Sequence, residues 1–142
     1  MNNKVYGFSI SALLGAMLFL SPAADAKSAL DGSSDLTCAA FEVVGCTDAD
    51  NCTSGSARKF DLPEFMEVRF KKKVIHITYD GGDKQAESPI NNSEINGSQL
   101  VLQGVENGHG WTMAVNTDNG RMSIAAVSDE LTFTIFGACK VN

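Results

Sequence analysis

Three Asn-Gly pairs punctuate the second half of the chain: Asn96-Gly97, Asn107-Gly108 and Asn119-Gly120, spaced eleven and twelve residues apart. Asp80-Gly81-Gly82-Asp83 precedes them. Asn and Gly tolerate the positive φ that a type I′ turn requires, so Asn-Gly between apolar runs signals a β-hairpin. Turns at this interval leave room for strands and not for helices of ordinary length, which points to an all-β sandwich or barrel.

The segments between the turns alternate as half-buried strands do. Trp111, Met113 and Val115 fall on one face, and Met122, Ile124 and Ala126 on one face of the next segment. Leu131, Phe133 and Ile135 follow the same rule, as do Met66, Val68 and Phe70, then Ile75, Ile77 and Tyr79. Leu100 and Leu102 repeat it around Val101, and TCAAFEVVG supplies an opening strand with Phe41 and Val43 set against Glu42. Residues 86–95 read as one further, weakly patterned strand. No 3.6-residue period persists over ten residues, so helix is limited to about one turn near Pro63. The fold expected is an antiparallel up-and-down meander of about eight strands, closed or nearly closed into a barrel, with a β-sandwich as the alternative.

The N-terminus has Lys4, an apolar run from Ser9 to Leu20, and then Ala24-Asp25-Ala26. These are the three parts of a secretory signal peptide, residues 1–26, with cleavage after Ala26. The apolar run is shorter than the roughly 20 residues a bilayer span needs. The mature chain is then 142 − 26 = 116 residues, divided into a flexible lead-in (27–36) and one disulfide-stapled β domain (37–142). Loss of Lys4 and Asp25 leaves 10 basic and 16 acidic side chains, a net charge of −6. Such a chain has no electrostatic attraction to nucleic acid or anionic lipid. Lys71-Lys72-Lys73, the only basic run, reads as a solvated turn. The expected location is the periplasm or the exterior of a bacterium, with no membrane span in the mature form.

All four cysteines, Cys38, Cys46, Cys52 and Cys139, follow the signal. In an oxidising compartment an even count implies two disulfides, and four cysteines allow three pairings. Cys46–Cys52, closing a short turn-rich loop, and Cys38–Cys139, tying together the ends of the domain, are preferred. There is no C-x-x-C, which removes the usual zinc and haem signals. Strict alternation sets Cys139 on the face of Ile135 but Cys38 on the face of Glu42, whereas cross-strand partners must share a side. A bulge at Gly137 would reset the parity.

No constellation marks a catalytic centre, a metal or a cofactor. His109 and Trp111, with Asn107-Gly108 before them, form a candidate binding pair, although the turn itself accounts for the pattern: His109 becomes a hairpin tip and Trp111 a core anchor. His76, between Ile75 and Ile77, reads as an outer-face histidine and is the third candidate. Two histidines are too few for a zinc site. Asp48-Ala49-Asp50-Asn51 and Asp80-Gly81-Gly82-Asp83 lack the EF-hand ligand spacing. Glu64 with Glu67, or Asp129 with Glu130, are read as ordinary surface acids.

LVLQGVENGHGW, NGRM, FGACKV, LPEFMEVRF and the earlier cysteines together resemble an uncharacterised family of small exported bacterial proteins of about this length. The resemblance spans roughly residues 38–139 and implies export and disulfides; it carries no activity or catalytic residue. More distantly, the inferred architecture is similar to the small barrels of periplasmic lysozyme inhibitors and lipocalin-type binders. Three functions follow as expectations: a non-catalytic barrel binding a small apolar ligand or a protein partner; a small hydrolase using a histidine and carboxylates; or an envelope structural or interaction protein, including a lysozyme-inhibitor-like module. The apolar side chains, Phe41, Phe65 and Phe136 among them, are numerous enough to fill the interior without leaving a cavity.

Overall fold

A computed structural model describes residues 29–79, 82 and 84–142. The signal-peptide reading, and most of the Asp80–Asp83 turn, lie outside the described residues. The chain forms an all-β antiparallel meander: β1 Leu36–Cys46, β2 Cys52–Gly55, β3 Phe65–Arg69, β4 Val74–Tyr79, β5 Lys84–Pro89, β6 Asn92–Asn96, β7 Gln99–Glu106, β8 His109–Asn116, β9 Arg121–Val127 and β10 Thr132–Val141. A 3-10 turn covers Ala57–Phe60. The sheet runs β5-β4-β3-β1-β10-β9-β8-β7-β6, with the short β2 paired to β1.

The first and last strands do pair, but in the middle of the sheet. Cys38 lies opposite Cys139, and the two are joined. The second disulfide, Cys46–Cys52, closes the β1–β2 hairpin, where the two cysteines are also register partners. The parity conflict is resolved by an extra residue in β1, not in β10: Ala40 pairs with Gly137, Glu42 with Phe136, and Phe41 is bulged out between them. Leu36 and Cys38 before the bulge and Val43 after it are therefore all buried. Phe41, expected beside Val43 in the core, is instead 68% exposed. Gly137 is required for a different reason, because a Cβ there would overlap the Ala39 carbonyl oxygen.

The sheet curls into a half-barrel that is open, not closed. Its two edges are successive in the chain: β5 and β6 are separated only by Ile90 and Asn91. Eight antiparallel steps separate them across the sheet, so both run in the same direction. Residues 84–96 thus form one extended run that leaves β4 and joins β7. This replaces the single strand expected over 86–95. At the crossover Ile90 donates its N–H to Lys73 (2.8 Å) and Asn91 to Gln103 (2.8 Å). Nearer the β7–β8 turn, no backbone ladder links β5 to β7 among the described residues.

Turn chemistry follows the sequence at one Asn-Gly pair and departs from it at another. Asn107 (φ 48°) and Gly108 (φ 82°) form the two-residue loop between register partners Glu106 and His109, as a type I′ turn requires. In the β6–β7 hairpin Asn96 pairs with Gln99, so the loop is Gly97-Ser98 with positive φ at Gly97 alone, the pattern of a type II′ turn.

One end of the half-barrel is filled by Leu36, Val68, Leu100, Leu102, Met113 and Val115, all nearly inaccessible. Residues 29–35 lie against this end. Leu30 packs on the core, Gly32 faces the Phe70 ring, and the Asp35 carboxylate accepts the Phe70 N–H at 2.9 Å. At the other end the 3-10 turn and residues 61–63 fold over the mouth. Buried Ala57 and partly buried Phe60 anchor them, the latter edge-on to Phe133 with ring centres 5.8 Å apart.

Candidate functional site

Beneath the 61–63 segment lies a cavity of about 260 Å³, just below the roughly 300–1,000 Å³ usual for ligand pockets and so suited to a small ligand. Its walls are the inward side chains of four strands, β3, β4, β9 and β10: Met66, Ile75, Ile77, Ile124, Phe133 and Ile135, with Leu62 and Pro63 above. Inward parity alone supplies this lining, because residues two apart on a strand share a face. Phe65 and Phe136, expected to fill the interior, take the opposite parity and are 60% and 46% exposed. Aromatic volume expected inside is therefore on the outer face, and space remains in the mouth.

Trp111 spans the open seam. It is opposite Gly104 in the β7–β8 ladder, and its indole lies over that glycine, where a Cβ would overlap both the ring and the Pro89 carbonyl oxygen. From there the indole N–H donates to Ser88 Oγ on β5 at 2.9 Å. A side-chain hydrogen bond thus joins β8 to β5 across a gap that has no backbone rungs. Ser88 is itself buried, so the acceptor is poorly replaced by water.

The polar rim consists of Tyr79, Ser88, Glu106, Asn107 and His109. His109 Nδ1 is 3.2 Å from the Asn107 carbonyl oxygen. A carbonyl only accepts, so this bond requires the proton on Nδ1 and leaves Nε2 as an acceptor when the ring is neutral. Burial, and secondarily the negative charge of Glu106, raise the Tyr79 phenol above its ordinary value of 10.0. A second, more polar groove of about 790 Å³ adjoins the cavity beyond Tyr79 and includes Arg58, Asp61, Glu64 and Lys84.

Of the three candidates from the sequence, His109 and Trp111 meet in this cavity and His76 does not. His76 points to the outer face of β4 between cross-strand partners Glu67 and Glu87, with Nδ1 3.6 Å from Glu87 Oε1. Tyr79, Ser88 and Glu106 were missed. Glu106 had a readable signal: it continues the inward series Leu100, Leu102, Gly104, which places a carboxylate on the core-facing register. Ser88 had none, because its segment carries no clear alternation.

The other acidic clusters are accounted for locally. The Asn51 side-chain amide donates to both Asp48 carboxylate oxygens at 2.8 and 2.7 Å and, together with the Asp50 and Asn51 backbone N–H groups donating to Oδ1 at 2.9 Å, holds its carboxyl below the usual range. Glu64 pairs with Arg58 and Glu67 with Arg69, at 2.8 and 2.7 Å. Among the described residues, no three His, Cys, Asp or Glu side chains are grouped to hold a metal. Ser88 Oγ receives the indole N–H, and none of the described hydrogen bonds joins it to an imidazole, so no serine–histidine arrangement is formed there.

The fold and site define a disulfide-bridged antiparallel half-barrel with an apolar cavity under an acceptor-rich rim. No family model matches the chain, and no curated protein matches it. The two disulfides are compatible with export, and no helix among the described residues is long and apolar enough to cross a membrane.

Proposed function

We propose that this chain is a non-catalytic exported protein, periplasmic or secreted, that holds a small apolar ligand in the mouth of the half-barrel. The observation that carries this reading is the cavity of about 260 Å³, walled by Met66, Ile77, Ile124 and Phe133 and bordered by Trp111. Apolar walls with a few convergent polar groups are the usual make-up of a ligand site. Trp111 is the only tryptophan in the chain, so its fluorescence reports on the cavity without background from other indoles. Titration with hexan-1-ol and with toluene should give a saturable change in Trp111 emission. The reading is overturned if neither probe changes it.

A protein partner is the second reading, favoured by the outer face. Phe41, Phe65 and Phe136 lie exposed on the adjacent strands β1, β3 and β10. A cluster of this kind is a common mark of an interaction surface.

A further inference from the structure

We infer that the cavity selects a small organic ammonium, an apolar chain bearing a positively charged hydrogen-bond donor, over a carboxylate of the same length. This rests on the ligand-binding reading above and specifies its chemistry.

Three features of the rim carry it. Among the described residues, Glu106 is the one carboxylate bordering the cavity, and no lysine or arginine borders it. A ligand carboxylate brought there would face a like charge in a partly desolvated setting, whereas an ammonium would meet its counter-ion. His109 adds a second acceptor: with Nδ1 bonded to the Asn107 carbonyl oxygen, the neutral ring offers Nε2 to an incoming N–H. Finally, Tyr79, Trp111 and Phe133 border the same space, and aromatic faces attract cations. Tyr79 already does so on this protein, since the ammonium of Lys84, its cross-strand partner, stands 5.2 Å from the ring centre. Lys84 borders the adjoining groove and not the cavity. Arg58, which borders the same groove, is paired with Glu64; Lys84 is therefore the cation near the mouth whose influence most opposes the inference, and it must be tested beside Glu106.

The test compares hexylamine, hexan-1-ol and hexanoate at pH 7 and low ionic strength, by calorimetry and Trp111 emission. The amine should bind about tenfold or more tightly than the alcohol, the scale of one charge-assisted hydrogen bond. Hexanoate should bind weakest, and added salt should shrink the spread. Glu106→Gln should remove the amine's advantage over the alcohol when both are measured on that variant. Lys84→Gln should leave the order unchanged. Hexanoate binding as tightly as hexylamine, or an amine preference that survives Glu106→Gln, overturns the inference while leaving a ligand site in place. A hexanoate preference abolished by Lys84→Gln overturns it in favour of the lysine. If none of the three binds, the ligand-binding reading falls and this inference with it.

Discussion

Gly104 and Gly110 lie on neighbouring strands, yet alanine should have opposite consequences at the two positions. At Gly104 a methyl would overlap the Pro89 carbonyl oxygen and the indole of Trp111. The carbonyl is backbone and cannot swing aside like a flexible side chain. Relief requires β5 to part from β7, which strains the Asn91–Gln103 and Trp111–Ser88 hydrogen bonds, 2.8 and 2.9 Å long. Overpacking of this kind costs about 1–3 kcal/mol, and each weakened hydrogen bond adds about 0.5–1.5 kcal/mol. Gly104→Ala should therefore lose about 2–6 kcal/mol. At a urea dependence of about 2 kcal/mol per molar, the unfolding midpoint falls by about 1–3 M. At Gly110 nothing lies within 4 Å of the added methyl and φ is not positive, so Gly110→Ala should be neutral or stabilising by about 0.4–1 kcal/mol. Urea unfolding of the oxidised proteins, followed by far-UV circular dichroism, decides the matter. A Gly104→Ala midpoint indistinguishable from that of Gly110→Ala would refute the contact between β5 and β7 and the placement of Trp111 over the glycine.

Further consequences follow from burial, cross-linking and charge. Replacing Cys38 and Cys139 together by serine opens a link between residues 101 apart and should cost about 4–5 kcal/mol in the chain-entropy account. The same change at Cys46 and Cys52, six apart, should cost about 2 kcal/mol; equal losses in denaturant melts would argue against β1–β10 as the critical cross-link. Leu102→Ala, at a position with no exposure, should cost about 2–5 kcal/mol. Phe41→Ser, at the exposed bulge, should stay within about 0.5 kcal/mol of the parent. Tyr79 should ionise later than a free phenol in an absorbance titration, and Glu106→Gln should recover the lesser part of that shift, since burial is the larger cause. Because the folded phenol holds its proton more tightly than the unfolded one, Tyr79 should support stability fully below pH 10 and lose that support as pH rises through the higher folded value.

The strands were legible because their inward residues alternate without interruption. Trp111-Met113-Val115 and Met122-Ile124-Ala126 needed no tertiary information to be placed on one face. The two cysteine pairings were legible for a related reason, since antiparallel pairing of the first and last strands brings Cys38 opposite Cys139. The position of the bulge was not, because a bulge is one residue of slack that either strand can absorb; β1 absorbs it at Phe41, opposite the crowded Gly137. The opening of the barrel was hidden as well. Residues 84–96 are polar enough to lie at an edge, but their passage from β4 to β7 depends on the hydrogen bonds made by Ile90 and Asn91, which local patterning does not encode. The cavity follows from both hidden features. A bulged Phe41 and outward Phe65 and Phe136 leave the mouth short of volume, and the open seam puts Trp111, Tyr79 and Glu106 around the space that remains.

Methionine-methyl NMR tests the binding cavity most directly. Three of the five methionines, Met66, Met113 and Met122, follow the predicted cleavage point; Met66 borders the cavity, and the other two are buried away from its lining. On addition of hexylamine to protein labelled with 13C at the methionine methyls, the Met66 resonance should move along a saturating curve while Met113 and Met122 stay fixed. A silent Met66, or shifts at Met113 and Met122 in its place, would contradict a ligand seated in the mouth of the half-barrel.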